Sequence, residues 1–332
     1  MCPKQRLSKE QKEKLHKLEA DLTSATMSHN FSRARNAINE AHRLLKPLGQ
    51  NCRLAVIKCR YCEFLINEQK EQDAILILNG IRQILNKTTR GYLEATALLA
   101  ICYLRQGEIV TAKPFMKEVL SNDSVIKSDF QRRQFQKIIL QRFDEETVIA
   151  ALRNDSLTEK IDANELLQKA GYLLYESGGN EDNLNEMIGE QTPIIVKQML
   201  YDIEVYSQKQ LPYKDTLMLP SPDRFQKNRE TGKIVGDAIK KSLHKCLCDP
   251  ECETHQMFVK FGFNSVLNKL TLPLAISTCL YDLKMGLLSL AIPVTALVIK
   301  LGIDTYCELY PFDSIMEQRK SKNNSHNDTI DL

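Results

Sequence analysis

The densest set of reactive side chains in the chain is His244-Lys245-Cys246-Leu247-Cys248-Asp249-Pro250-Glu251-Cys252-Glu253-Thr254-His255. Three thiols and two imidazoles sit close enough in sequence to meet, and tetrahedral zinc takes four such ligands. Cys246, Cys248, Cys252 and His255 form a candidate zinc set, with His244 as the alternative imidazole. The C-x-C-x3-C spacing is not that of a common finger or ribbon. Asp249-Pro250 reads as a helix start, with Asp as N-cap and Pro in the first turn. That start would put Cys252 and His255 on one helix face. The competing reading is a thiol-rich turn between two helices. Cys248 and His255 could also pair as nucleophile and base, but no third member or oxyanion donor is recognisable nearby.

Chemistry elsewhere is sparse. The chain has no phosphate-binding G-x-x-x-x-G-K-[ST] loop, no G-x-G-x-x-G, no H-E-x-x-H and no G-x-S-x-G. Of the six histidines, His16 and His42 lie among charged helical residues and read as solvated. His29 falls at a turn and His326 in a polar tail. The expectation is a protein that is not an enzyme and needs no cofactor beyond the possible zinc. A net charge of +3 gives no electrostatic case for nucleic acid or anionic lipid. The stripe of Arg132, Arg133, Lys137 and Arg142 reads as a solvated helix face, and Phe130, Phe135 and Phe143 as the core side of that helix.

The elements that would carry these residues read as helices. Gly and Pro number only 13 and 11 in 332 residues, and few breakers over that length favour helix over strand. Ser8 with Gln11 makes a capping box that opens a first helix through Leu15, Leu18 and Leu22. Its partner runs from Phe31 to before Pro47. A second pair covers Cys52–Asn67 and Glu71–Asn86, and a third Gly91–Arg105 and Glu108–Leu120. Ser128 with Gln131 leads into Phe130–Phe143, and Asp144–Arg153 reads as a separate short helix. Ser156 with Glu159 and Asp162 with Glu165 are further starts. Gly178-Gly179 closes the helix from Asp162, and Thr192-Pro193 opens another to about Gln208. The prolines at 212, 220 and 222 mark a linker. Met1-Cys2-Pro3-Lys4 leads into a charged helix without a secretory leader, so the expected location is cytoplasmic with unpaired thiols among the ten cysteines.

A threefold pattern runs through the first three pairs: a turn, an Ala, a large apolar residue four positions on, and a small or apolar residue three further. Its copies are His29 with Ala34, Ile38 and Ala41; Gln69 with Ala74, Leu78 and Ile81; and Gly107 with Ala112, Met116 and Val119. A period of about 40 residues marks stacked helical hairpins. With Leu99, Ala100, Tyr103 and Gly107 in the third pair, residues 8–125 resemble degenerate tetratricopeptide-type repeats. The second pair departs from the motif, with Gln69 at the turn and Cys62 and Leu65 at the packing positions. The resemblance implies an N-terminal solenoid at 8–125; with the caps, prolines and apolar runs of the rest, the expected fold is all-α, with a continuing helical region at 126–208, a linker at 209–229, a compact hydrophobic helical module at 230–310 and a disordered polar tail at 311–332. It also implies a protein or peptide partner held by the first helix of each pair, making Lys58, Arg60, Glu63, Glu94 and Arg105 candidate partner-binding residues.

Leu272–Tyr281 and Met285–Ile299 are uncharged. The second run is shorter than the roughly 20 apolar residues of a membrane-spanning helix, which favours a helix buried inside a domain. Lys300 could snorkel, however, so a hairpin of 272–281 and 285–303 is a candidate for membrane insertion. Residues 236–310, with LCDPECETH and TALVIKLGIDTYCE, resemble a hydrophobic C-terminal module of bacterial proteins associated with defence or conflict. That resemblance implies a bacterial source and a module attached to varied N-terminal domains, with a defence (including antiviral) or regulatory system as the expected setting; it brings no reaction and no catalytic residues with it. The functional expectation is an interaction scaffold; a membrane-acting effector and a zinc-stabilised regulatory module are the alternatives.

Overall fold

The computed structural model describes residues 5–155, 161–208, 224–249, 252, 255–256, 271–285, 287–310 and 314–316. Every regular element among them is helical: α1 (Lys9–Met27), α2 (Phe31–Leu45), α3 (Asn51–Asn67), α4 (Glu71–Ile84), α5 (Arg90–Arg105), α6 (Ile109–Ser121), a 3-10 turn (Asp123–Val125), α7 (Asp129–Asp155), α8 (Ala163–Glu176), α9 (Glu181–Gln191), α10 (Ile194–Gln208), α11 (Arg224–Cys248), α12 (Thr271–Asp282), α13 (Leu288–Leu301) and α14 (Ile303–Leu309). The chain divides into two compact units, Met1–Ile139 with Ser314–Leu332, and Leu140–Asp313.

In the first unit α1 packs on α2, α3 on α4 and α5 on α6, while α3 also touches α1 and α5. The capping box at Ser8 and Gln11 is present in both directions. The threefold pattern is built into the backbone. His29, Gln69 and Gly107 have φ of 48°, 57° and 78°, and each lies five residues before its Ala. The following N–H closes the preceding helix the same way each time: Asn30 to Ala25 O at 2.8 Å, Lys70 to Leu65 O at 2.8 Å and Glu108 to Tyr103 O at 2.9 Å. This is the left-handed cap that ends many helices. Ala34, Ala74 and Ala112 are all 0% exposed, so helices approach closely where the side chain is smallest. Gln69 makes the turn that glycine makes in the third copy.

Contacts between successive turns repeat with the same register. His29 Nδ1 lies 2.8 Å from Glu68 Oε1, 39 residues away. Arg105 donates to Ile66 O, also 39 residues away. The Lys70 ammonium sits 3.4 Å from the Phe31 ring centroid, again one repeat length apart.

The second unit is built on α8, α9 and α11–α14, with the later part of α7. Gly189 on α9 and Gly232 on α11 let the two backbones touch. A Cβ at Gly189 would come within 1.9 Å of Asn228 O, and one at Gly232 within 1.7 Å of Asn185 O. Helix α13 carries a buried stretch, including Leu290, Ala291, Val294, Ala296, Leu297 and Val298, and packs on α8, α9, α11, α12 and α14. Among the described residues no helix is long and apolar enough to cross a membrane. The Lys300 Nζ lies 2.8 Å from Glu181 Oε1.

Several expected boundaries move. Helix α7 runs unbroken through Phe143-Asp144 because Arg142 reaches Glu146 at 2.8 Å, one turn on, so the acidic residues extend the helix instead of capping a new one. The division between units falls within α7, at Ile139/Leu140, not at the proline-rich segment. Of the expected linker, 209–223 lies outside the described residues, and Arg224 already opens α11. The Ser156–Glu159 start also lies outside them. Phe135 and Phe143 are buried as expected, but Phe130 is 53% exposed. Within the segment expected to be a disordered tail, Ser314–Met316 is placed and packed, with Ile315 and Met316 buried.

Candidate functional site

The Cys/His cluster is resolved into separate bonding arrangements. Cys248, at the end of α11, forms a disulfide with Cys307 of α14, 59 residues away, with Cα atoms 5.6 Å apart. This corrects the expectation of unpaired thiols throughout and removes Cys248 from the candidate zinc set. His255 Nδ1 is 2.8 Å from Leu247 O, and His244 Nε2 is 3.1 Å from Cys307 O. Among the described residues no group of three or more Cys, His, Asp or Glu is gathered closely enough to hold a metal ion. The quartet of Cys246, Cys248, Cys252 and His255 is thus not assembled as a ligand set.

Cys246 retains its thiol beside the buried Cys279. A hydrogen bond with Cys246, with burial added, pushes the Cys279 thiol far above its usual range. A thiol held that firmly in its protonated form is a poor nucleophile at neutral pH. Lys240, buried on α11, lies 2.8 Å from Asp237 and 2.7 Å from the Tyr310 hydroxyl. Burial lowers its pKa, but Asp237 and Tyr310 outweigh that, so it stays charged. The Tyr306 hydroxyl donates to Lys240 O. These polar groups are occupied with one another and tie α11 to α14.

The candidate partner-binding residues separate into four fates. Glu94 is 1% exposed and takes Arg90 Nε at 2.8 Å; it is an interior ion pair and not a surface contact. The reason lies in its helix. Tyr92–Leu104 is apolar almost all round, and such a helix is buried on every side; Gly91–Cys102 is buried without a break. Arg105 is spent on the Ile66 carbonyl, at the end of α3. Lys58 lies about 200° around α3 from Arg60. Burial first, then Lys46, lowers its pKa, and the same two lysines lower that of His42 after burial. Lys58 therefore belongs to a different, basic face.

Arg60 and Glu63 share one face of α3, a turn apart. Arg60 Nη1 is 3.9 Å from Glu19 Oε1, and its buried Nε has no hydrogen-bond partner among the described residues. Glu63 holds a piece of chain. Ser314 Oγ donates to Oε2 at 2.6 Å, the Ile315 N–H to Oε1 at 2.6 Å and the Met316 N–H to Oε2 at 3.2 Å. One carboxylate thus gathers a hydroxyl and two consecutive backbone donors from a turn.

The helical spacing of α3 marks Glu63 as a surface candidate, but nothing in the sequence names Ser314-Ile315-Met316 as what it holds. Compared with known proteins, the chain matches no family model, no curated protein and no solved structure.

Proposed function

We propose that this chain is a non-enzymatic adaptor whose first unit, a short solenoid of tetratricopeptide-like hairpins, binds a segment of a partner protein on the α3 face carrying Arg60 and Glu63. The observation that carries this reading is the Glu63 carboxylate holding three donors of a turn of chain at Ser314–Met316. Main-chain N–H groups are common to every partner, and side-chain pockets beside them supply selectivity. The Arg60 guanidinium, one turn away and 18% exposed, offers a positive charge to a carbonyl or carboxylate of the same ligand. The threefold turn and the buried Ala positions supply a stiff frame, which lowers the ordering cost of binding.

The test is selection from a displayed peptide library on the full chain and on a full chain whose Ser314–Met316 segment is undocked by Ile315→Asp and Met316→Asp. Enriched peptides that lose binding to Glu63→Gln and Arg60→Ala support the reading. An absence of enrichment on both baits, or enriched peptides indifferent to both substitutions, overturns it.

A further inference from the structure

The segment on Glu63 is itself informative about the ligand. Resting on the peptide-adaptor reading above, we infer that Ser314-Ile315-Met316 is a cis-bound copy of the ligand class: the site takes an unmodified Ser or Thr followed by two apolar residues with free N–H groups, and the chain's own segment must leave before a partner enters.

Three features of the contact define this class. The first position must supply a hydroxyl, because Ser314 Oγ donates to Oε2 at 2.6 Å. The second and third positions must supply N–H groups to Oε1 and Oε2, which excludes proline at both. Their side chains are buried, Ile315 at 6% exposure and Met316 at 1%, so the apolar character is part of the fit. Because the receiving group is a carboxylate, an acidic residue at the first position is rejected. A phosphoserine is rejected most strongly: it loses the donor and sets about two negative charges against a third.

Occupancy in cis sets the competition. A tethered segment meets its site at an effective concentration in the millimolar range. A free peptide of equal intrinsic affinity therefore binds the intact chain poorly and gains once the tether partner is removed.

The probe is a fluorescein-labelled peptide of residues 311–320, PFDSIMEQRK, titrated by anisotropy onto the full chain and onto the Ile315→Asp, Met316→Asp chain. A second undocked chain, Ile315→Pro, removes one donor without adding charge, and thermal melts confirm that both retain the fold. The undocked chains are expected to bind the probe at least about tenfold more tightly than the native chain. Peptides carrying alanine or phosphoserine at the serine position, or N-methyl isoleucine at the next, are expected to bind at least about tenfold more weakly than the probe. Since those changes are in the peptide, the protein's fold is untouched by them. Equal affinity for native and undocked chains, no binding to either undocked chain, or undiminished binding of the phosphorylated and N-methylated peptides overturns the inference. Failure here with Glu63-dependent library peptides still in hand would remove the ligand class and leave the adaptor reading standing.

Discussion

Glu63 and Ser314 lie 251 positions apart and share a 2.6 Å hydrogen bond, the first of three that converge on one carboxylate. Hydrogen bonds to charged groups contribute about 1.5–3 kcal/mol each. Glu63→Gln keeps the shape but removes the charge and replaces one acceptor oxygen with a donor. The amides of Ile315 and Met316 are then expected to exchange at least about tenfold faster. Hydrogen exchange with mass spectrometry reads this directly; unchanged protection would mean the carboxylate does not hold the segment.

The repeated turn gives a stability prediction. Gln69 sits at φ 57° where the third copy has Gly107 at φ 78°, and a side chain in the left-handed region costs roughly 1–2 kcal/mol. Part of that is regained as glycine entropy in the unfolded chain. Gln69→Gly should therefore stabilise by up to about 1 kcal/mol, and Gly107→Ala should destabilise by about 1 kcal/mol. Denaturant midpoints of the two variants should move in opposite directions.

The disulfide between Cys248 and Cys307 closes a 59-residue separation. Bridges over loops of that size contribute about 2–4 kcal/mol, largely by restricting the unfolded chain. Cys248→Ser or reduction should lower the melting temperature, and Cys307→Ser should match Cys248→Ser within error. With Cys248 so engaged, the purified chain is expected to carry less than about a tenth of an equivalent of zinc, read by elemental analysis.

Asp144 supplies a pH dependence. Burial, then the charges of Glu145 and Glu204, pushes its carboxyl from 3.8 up to about 7. Between those two values the unfolded chain has released the proton and the folded chain retains it, so stability falls as pH rises through this window. Below it the effect is absent; above about 7 the full cost is present. Asp144→Asn should therefore stabilise the protein at pH 8, do little at pH 4, and flatten the slope between. A steeper slope in the variant would contradict the assignment.

The helical class and most helix ends were legible because local signals set them. Ser8 with Gln11 and Asp162 with Glu165 cap where their spacing says they should. The threefold pattern was also legible, and Gln69 shows why it looked weaker than it is: the turn repeats in backbone conformation while the residue type does not. The burial of Glu94 could have been read from the all-round apolar face of α5. What no local signal carries is long-range pairing. Cys248 with Cys307, Lys300 with Glu181, and Glu63 with Ser314 join residues that only the tertiary fold brings together. The candidate metal set is not gathered among the described residues for that reason: its spacing is local, while one of its thiols is committed to a distant partner.

The central claim is that the Glu63 face of α3 binds peptide. Its most direct test is the dissociation constant of a library-selected peptide for the undocked full chain with and without Glu63→Gln, at equal melting temperature. The account predicts a loss of at least about tenfold, the equivalent of about 1.4 kcal/mol. An unchanged dissociation constant would contradict it.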